Sequence, residues 1–257
     1  MPVPMVTLTK GAQMPLLGLG TWLADESDAY ESVRYALEVG YRHVDTATMY
    51  RNEKAVGRAV RESGVPRSEV FLTTKLPPDR AERADETIEA SLTAMGLDYV
   101  DLWLIHWPVH GDASPETWLK LLGARERGLT KEVGVSNYSL RQLDELERAT
   151  GELPAVNQIE WGPDLFDADE LAGHQQRGVV LEGYSPFKST DLESEALASI
   201  ASAHAKTAAQ IVLAWHLQHG VVAIPKSTNQ GRIAANFDVL DILLTTEEMS
   251  SIDELGL

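Results

Sequence analysis

The sequence predicts an α/β protein folded as a (β/α)8 TIM barrel, with an N-terminal β-hairpin and a C-terminal helix. Three observations carry that expectation. Eight short runs rich in apolar and β-branched residues recur along the 257 residues. Stretches with the 3.6-residue period of an amphipathic helix separate them, several closed by a glycine of the kind that caps helix C-termini. No Pro/Gly/Ser-rich linker, low-complexity tract or internal repeat interrupts the series, so residues 1–257 read as one domain. Near-continuous apolar strands alternating with helices describe a parallel sheet with both faces covered, and eight such units suffice to close it.

In chain order, VTLTKGAQMPLL (6–17) reads as a hairpin turning at Lys10 and Gly11 that plugs the N-terminal end of the barrel. The strand candidates are LLGLG from 16, YRHVDTA from 41, VFLTTKL from 70, VDLWLIHW from 100, EVGVSN from 132, AVNQIE from 155, VVLEGYSPF from 179 and VVAIPKS from 221. Helical patterns between them include SDAYESVRYALEVG, EKAVGRAVRESG, ADETIEASLTAMG and SLRQLDELERATG. The longer gap before the last run holds two, one ending near Lys206 and TAAQIVLAWHLQHG after it, and TTEEMSSIDELGL reads as a terminal helix. An open doubly wound sheet shows the same alternation. It marks a dinucleotide site by a glycine-rich turn after its first strand, and GLGTW lacks the third glycine and the following helix cap.

Composition removes several function classes. With 39 acidic and 22 basic side chains the formal net charge is −17, so nucleic acids and anionic membrane surfaces are repelled, and an anionic ligand needs a local basic pocket. There is no cysteine, which excludes disulfides, thiolate metal sites and a cysteine nucleophile. MPVPMVTLTKG lacks the basic start, apolar core and cleavage site of a signal peptide, and VDLWLIHWPV is too short and too interrupted to span a bilayer. A cytoplasmic monomer acting on a small molecule is the default expectation, with no nucleic-acid or membrane partner and no metal.

Active-site groups of such a barrel gather at the C-terminal ends of its strands. Asp45, Lys75 and His106 end the second, third and fourth runs and so reach one rim. Each has an ordinary reading alone: Asp45 as a cap, Lys75 as a paired strand lysine, His106 as a hydrogen-bonded core histidine. Tyr50, in the loop that follows Asp45, adds a phenol. Lys75 beside it would lower the phenol pKa from about 10, and Asp45 would hold Lys75 charged. The group has a proton donor but no metal signature, serine nucleophile elbow or paired glycosidase carboxylates, which suggests that the attacking group is brought in by a cofactor, and hydride fits that role.

At this point LGLGTW, HVDTATMYRNEKAVGRAV, FLTTKL, IHWP, GVSNY, NQIE, LEGYSPF and IPKSTNQGRIAANF together resemble the aldo-keto reductase family, over about residues 16–255. The likeness extends to its bacterial 2,5-diketo-gluconate reductase-like members. It implies a barrel reductase that binds NADPH/NADP+ in extended form, with Asp45, Tyr50, Lys75 and His106 as catalytic residues and an aldehyde or ketone as substrate. By the same resemblance Ser136, Asn137 and Gln158 hold the nicotinamide carboxamide, and Tyr184 stacks on the ring. Ser185, Pro186 and Phe187 wrap the pyrophosphate, and Lys226, Ser227, Thr228, Arg232 and Asn236 take the adenosine end. Trp22 and Trp107 lie beside the carbonyl site, with the loop VHGDASPET on the rim and Trp161 as a further candidate. Two departures stand out. Ala235 occupies the place of the family's usual adenine-contacting glutamate, and the chain stops where many members continue with a tail lining the substrate pocket. Two rival functions remain at this level: an NADPH-binding regulatory subunit with little turnover, and a Schiff-base lyase using Lys75.

Overall fold

The structure is a computed structural model that describes residues 3–188 and 190–256. Met1, Pro2, Ser189 and Leu257 belong to the expected 1–257 span but lie outside the described residues. Strands β1 (Met5–Thr7) and β2 (Gln13–Pro15) form the expected hairpin, with Met5 opposite Pro15. Gly11 sits in the turn at φ 91°, a backbone conformation open to glycine and strained for other residues. Leu8 and Met14 are buried with Phe71, Leu102, Ala155 and Val222, which sit near the starts of four strands, so the hairpin closes the N-terminal end.

Eight parallel strands follow: β3 (Leu19–Gly20), β4 (His43–Asp45), β5 (Phe71–Leu76), β6 (Val100–Ile105), β7 (Thr130–Ser136), β8 (Val156–Glu160), β9 (Val180–Tyr184) and β10 (Val222–Ala223). They pair in sequence order, and parallel bridges from Leu17 to Ala223 and from Gly20 to Lys226 join the last strand to the first. That closure excludes the open doubly wound sheet. Register then fixes what meets at the C-terminal rim. Gly20 pairs with Asp45, and Ser136, Gln158 and Glu182 stand in one cross-strand row.

The outer layer consists of α1 (Glu26–Val39), α2 (Glu53–Glu62), α3 (Ala84–Met95), α4 (Pro115–Glu126), α5 (Leu140–Thr150), α6 (Ala168–Arg177), α7 (Glu195–His204), α8 (Ala208–Gln218), α9 (Gln230–Phe237) and α10 (Thr246–Asp253). In α1 the buried side chains are Ala29, Ser32, Val33, Ala36 and Leu37, the stripe expected of a helix laid on a sheet. Capping boxes start α5 at Ser139 and α8 at Thr207. Packing of α2 on α3 leaves no room for a side chain at Gly57, where a Cβ would lie 2.3 Å from the Met95 carbonyl oxygen. Two stretches read as loops prove more ordered. Thr48–Tyr50 is a 3-10 turn, and Pro115 starts α4 inside the expected 109–117 rim loop, at the first helical position that proline favours. Among the described residues no helix is long and apolar enough to cross a membrane.

Candidate active site

Four side chains expected at the rim meet there. Asp45 ends β4 and is 2% exposed, while Lys75 lies within β5 and has no solvent exposure. The Lys75 ammonium donates to Asp45 Oδ1 at 2.5 Å, to the Thr46 carbonyl at 3.0 Å and to the Tyr50 hydroxyl at 3.3 Å. Those three acceptors use all three of its protons. Burial is the largest single influence and opposes the charge on Lys75, but Asp45, Tyr50 and Glu182 together outweigh it, so the ammonium titrates above the ordinary lysine range. Buried His106 follows β6, with its ring 5.7 Å from that of Tyr50, edge to face. Burial, then Lys75, pulls its pKa down to about 3, so the imidazole is neutral at pH 7.

Tyr50 departs from the sequence expectation in one respect. Lys75 does lower its pKa, but burial of the phenol is the larger effect and the net shift is upward. The hydroxyl therefore holds its proton firmly in this site, beside a cation placed to stabilise the phenolate when the proton leaves.

The residues matched to the nicotinamide end form one network with these four. Gln158 Nε2 donates to Asp45 Oδ2 and to Glu182 Oε2, each at 2.9 Å. Ser136 Oγ donates to the Gln158 carbonyl at 2.8 Å and faces Asn137 Nδ2 at 3.0 Å. Asn137 Nδ2 also reaches the His106 carbonyl at 3.1 Å, and Tyr184 donates its hydroxyl to Asn137 Oδ1 at 2.9 Å. Asn137 and Ser185 both adopt positive φ, 64° and 54°, uncommon for residues with side chains and costly enough to mark a local constraint. Pro186 is buried, Phe187 is half-buried, and the turn they make is tied by Lys188 N to Ser185 O at 3.0 Å.

A second group gathers where β10 runs into α9. Asn229 caps the helix, accepting from Arg232 N at 2.9 Å, and Arg232 Nε reaches Ser227 Oγ at 3.4 Å. Lys226 and Arg232 are exposed, Thr228 is half-buried, and Ser227 and Asn236 are buried. Among the described residues no ion pair engages Lys226 or Arg232, whereas Arg125, Arg177 and Lys206 are all paired with carboxylates. Two uncommitted cations at a helix N-terminus, in a chain of charge −17, fit the phosphate end of a dinucleotide. The bridge from Gly20 to Lys226 places this group one strand away from Asp45.

Trp22 and Trp107 are 52% and 47% exposed at the ends of β3 and β6. Trp161 is buried against Phe166, with ring centroids 6.0 Å apart, so core packing and not the rim accounts for it. Sequence reasoning missed Leu23, exposed beside Trp22, Met49, exposed beside Tyr50 in the turn after β4, and three buried polar residues, Asn52, His43 and Glu182. Asn52 donates to the Thr21 and Ala24 carbonyls and accepts from Thr46 Oγ1, fastening the Trp22 loop to the Tyr50 loop. Glu182 carried a legible signal, since it interrupts the apolar run VVLEGY, whereas His43 stands in the polar run YRHVDTA and carried none.

Comparison with known proteins agrees with this geometry. The Aldo/keto reductase family model matches residues 16–256. An aldo-keto reductase from Mycolicibacterium vanbaalenii is 43% identical over 98% of this chain and 92% of its own length. A crystal structure of an aldo/keto reductase from Brucella melitensis superposes with TM-score 0.96 at 40% identity, covering 99% of this chain and 98% of that one. An aldo-keto reductase from Bombyx mori, solved in complex with NADP, superposes with TM-score 0.92 at 33% identity, covering 99% and 93%. With eight strands closed around a buried Asp45–Lys75 pair and a family match over nearly the whole sequence, the chain belongs to the aldo/keto reductase family and is an NADP-dependent oxidoreductase.

Proposed function

We propose that this protein reduces aldehydes and ketones to alcohols with Tyr50 as the proton donor, and that Asp45, Lys75 and His106 tune that proton. The contact between the Lys75 ammonium and the Tyr50 hydroxyl carries the reading, because it is the arrangement a phenol needs to act as an acid near neutral pH. NADPH, when bound, supplies the hydride that the carbonyl carbon accepts. Every other requirement falls on side chains. Burial keeps the phenol protonated until a substrate oxygen gains charge, and Lys75 then stabilises the phenolate left behind. Asp45 and the Thr46 carbonyl hold Lys75 in place. Neutral His106 can donate one N–H to the same oxygen without adding a charge that would compete with Lys75.

Ser136, Asn137 and Gln158 are assigned to the nicotinamide carboxamide, Tyr184 to the nicotinamide face and Ser185, Pro186 and Phe187 to the pyrophosphate. Lys226, Ser227, Thr228, Arg232 and Asn236 are assigned to the adenosine end. Exposed Trp22, Leu23, Met49 and Trp107 form an apolar rim, which favours carbonyl compounds with apolar or aromatic substituents. The Schiff-base alternative needs a free amine lone pair, and Lys75 is charged with all three protons committed.

The test is Tyr50→Phe, assayed by NADPH absorbance against a panel of aliphatic and aromatic aldehydes and ketones. General acid catalysis contributes about 10²- to 10⁴-fold, so kcat should fall by at least the lower figure while NADPH affinity holds. Retention of most of the rate would refute Tyr50 as the donor.

A further inference from the structure

The row of residues behind the tetrad contains a second buried acid to which none of the catalytic roles above applies. Glu182 is in register with Gln158 on the neighbouring strand and has no solvent exposure. Its Oε2 accepts from Gln158 Nε2, which also donates to Asp45 Oδ2. Its Oε1 lies 3.5 Å from His43 Nε2, across the barrel, and among the described residues neither of those two buried atoms has another hydrogen-bond partner. The other ring nitrogen, His43 Nδ1, is 3.3 Å from the Pro15 carbonyl, which can only accept, so Nδ1 carries a proton. That leaves two lone-pair atoms facing each other, and the contact is attractive only if a proton sits between them.

We propose that Glu182, sharing one proton with His43, is a positioning residue of this site: together with Asp45 it takes both N–H groups of Gln158 and leaves the amide oxygen as the atom Gln158 presents to the cofactor. An amide lacking these two acceptors could turn by 180° at little cost, because its oxygen and nitrogen differ only in hydrogen bonding. With a carboxyl oxygen 2.9 Å away on each side, a turned amide would set its oxygen against two acceptors. The oxygen is what a carboxamide N–H requires, so the inference rests on the assignment of Gln158 to the nicotinamide carboxamide.

The shared proton belongs on Glu182. Burial, then repulsion from Asp45, raises its pKa to about 8, while burial pulls His43 down to about 3. Asp45, Lys75 and Tyr50 are the charged or titratable groups that reach Glu182 besides His43. A neutral acid avoids a second carboxylate competing with Asp45 for the charge of Lys75. Gly18 makes the arrangement possible, since a Cβ there would lie 2.6 Å from His43 Nδ1. Glutamine at position 182 would reproduce every contact of the neutral acid, its oxygen accepting from Gln158 and its amide N–H donating to His43 Nε2. Leucine would reproduce the shape and none of the hydrogen bonds.

The experiment compares wild type, Glu182→Gln and Glu182→Leu in binding titrations with NADP+ and with its 3-acetylpyridine analogue, in which a methyl replaces the carboxamide N–H2. Glu182→Gln should keep NADP+ affinity within about twofold, and Glu182→Leu should weaken it by about tenfold. For the analogue, which offers no N–H to Gln158, the three proteins should differ by less than about threefold. Equal losses for both dinucleotides in Glu182→Leu would show general damage to the site, and a loss in Glu182→Gln as large as in Glu182→Leu would show that the acid is ionised; either overturns the proposal. Nitrogen-15 NMR of His43 in the wild-type protein reads the proton directly and does not depend on cofactor binding or on a variant folding. A neutral ring protonated at Nδ1 from pH 5 to 7 is expected, and an imidazolium at pH 7 would sink the idea. Wild-type protein that fails to bind NADP+ at all would refute the cofactor assignment of Gln158 and with it the orienting role, while the NMR result would still decide where the proton sits.

Discussion

Replacing Lys75 by methionine should destabilise the fold as well as disable the enzyme, and the two losses have separate origins. The side chain keeps its length and loses its charge, leaving Asp45, 2% exposed, without its cation. Removing one partner of a buried pair costs about 3–5 kcal/mol, because the remaining charge is neither solvated nor matched. Gln158 Nε2 still donates to Asp45 Oδ2 at 2.9 Å, which places the expected cost near the lower end, about 3 kcal/mol. In a domain of this size about 2–4 °C of melting temperature is lost per kcal/mol, so Tm should drop by about 6–12 °C. Urea denaturation of wild type, Lys75→Met, Asp45→Asn and the double variant, at constant m-value, gives the coupling energy directly. The double variant should be more stable than Lys75→Met alone, since the stranded charge is gone. If Lys75→Met shifts the denaturation midpoint by less than the equivalent of about 1 kcal/mol, the pair is not the electrostatic support described here.

Arg232→Ala should weaken NADPH binding by at least about tenfold and leave NADH binding nearly constant, because a charge-assisted hydrogen bond to the extra phosphate contributes about 1.5–3 kcal/mol. Equal losses for both cofactors in a fluorescence titration would show that Arg232 does not read that phosphate. Ala235→Glu should tighten both cofactors alike, apart from some repulsion at the phosphate, in the same titration. Asn52→Ala removes the donors to the Thr21 and Ala24 carbonyls, so it should raise KM for bulky carbonyl substrates more than it lowers kcat; an unchanged KM would show that the Trp22 loop is held by other contacts. Stability should peak near pH 6.5. The folded pKa values of His43, His106 and His216, about 3, 3 and 4, lie below their unfolded value of 6.5, so their contributions are lost as pH falls from 6.5. Glu182, raised from 4.5 to about 8, contributes stability that is lost as pH rises through that interval. Urea midpoints measured from pH 4 to 9 would contradict this if they rose steadily across the range.

The barrel was legible because its eight strands are buried on both faces, which writes each one into the sequence as a short apolar run bounded by turn residues. Closure was not legible locally, because it depends on bridges from Leu17 to Ala223 and from Gly20 to Lys226, pairs some two hundred residues apart. At the site, Asp45, Lys75 and His106 could be placed because strand ends fix position. Tyr50 could be placed because it stands in the loop that leaves the same strand, five residues after Asp45. The sign of its net pKa shift could not, since it depends on how far burial of the phenol outweighs a cation 3.3 Å away. Trp22 and Trp161 show the same limit for aromatic residues. Both follow strand runs, yet one is 52% exposed and the other 2%, a difference set by the packing of Phe166.

The polar floor of the site also bears on how a highly acidic protein holds a polyanionic cofactor. Lys75 is the cation of the floor, and Asp45 neutralises it. His43 and His106 are both pulled toward the neutral form. If Glu182 were ionised as well, the floor would carry a net negative charge beneath the nicotinamide. With Glu182 protonated it is neutral, and the attraction for phosphate is left to Lys226 and Arg232 at the other end of the cleft. Salt screens the general repulsion of the −17 surface beyond roughly 8 Å, so it acts on the rate of approach more than on the bound state. Cofactor affinity then turns on short-range matching, with cations at the adenosine end and an oriented, uncharged amide at the nicotinamide end. Raising the pH through the Glu182 transition should therefore weaken binding of NADPH, whose reduced ring is uncharged, in wild type and leave it unchanged in Glu182→Gln.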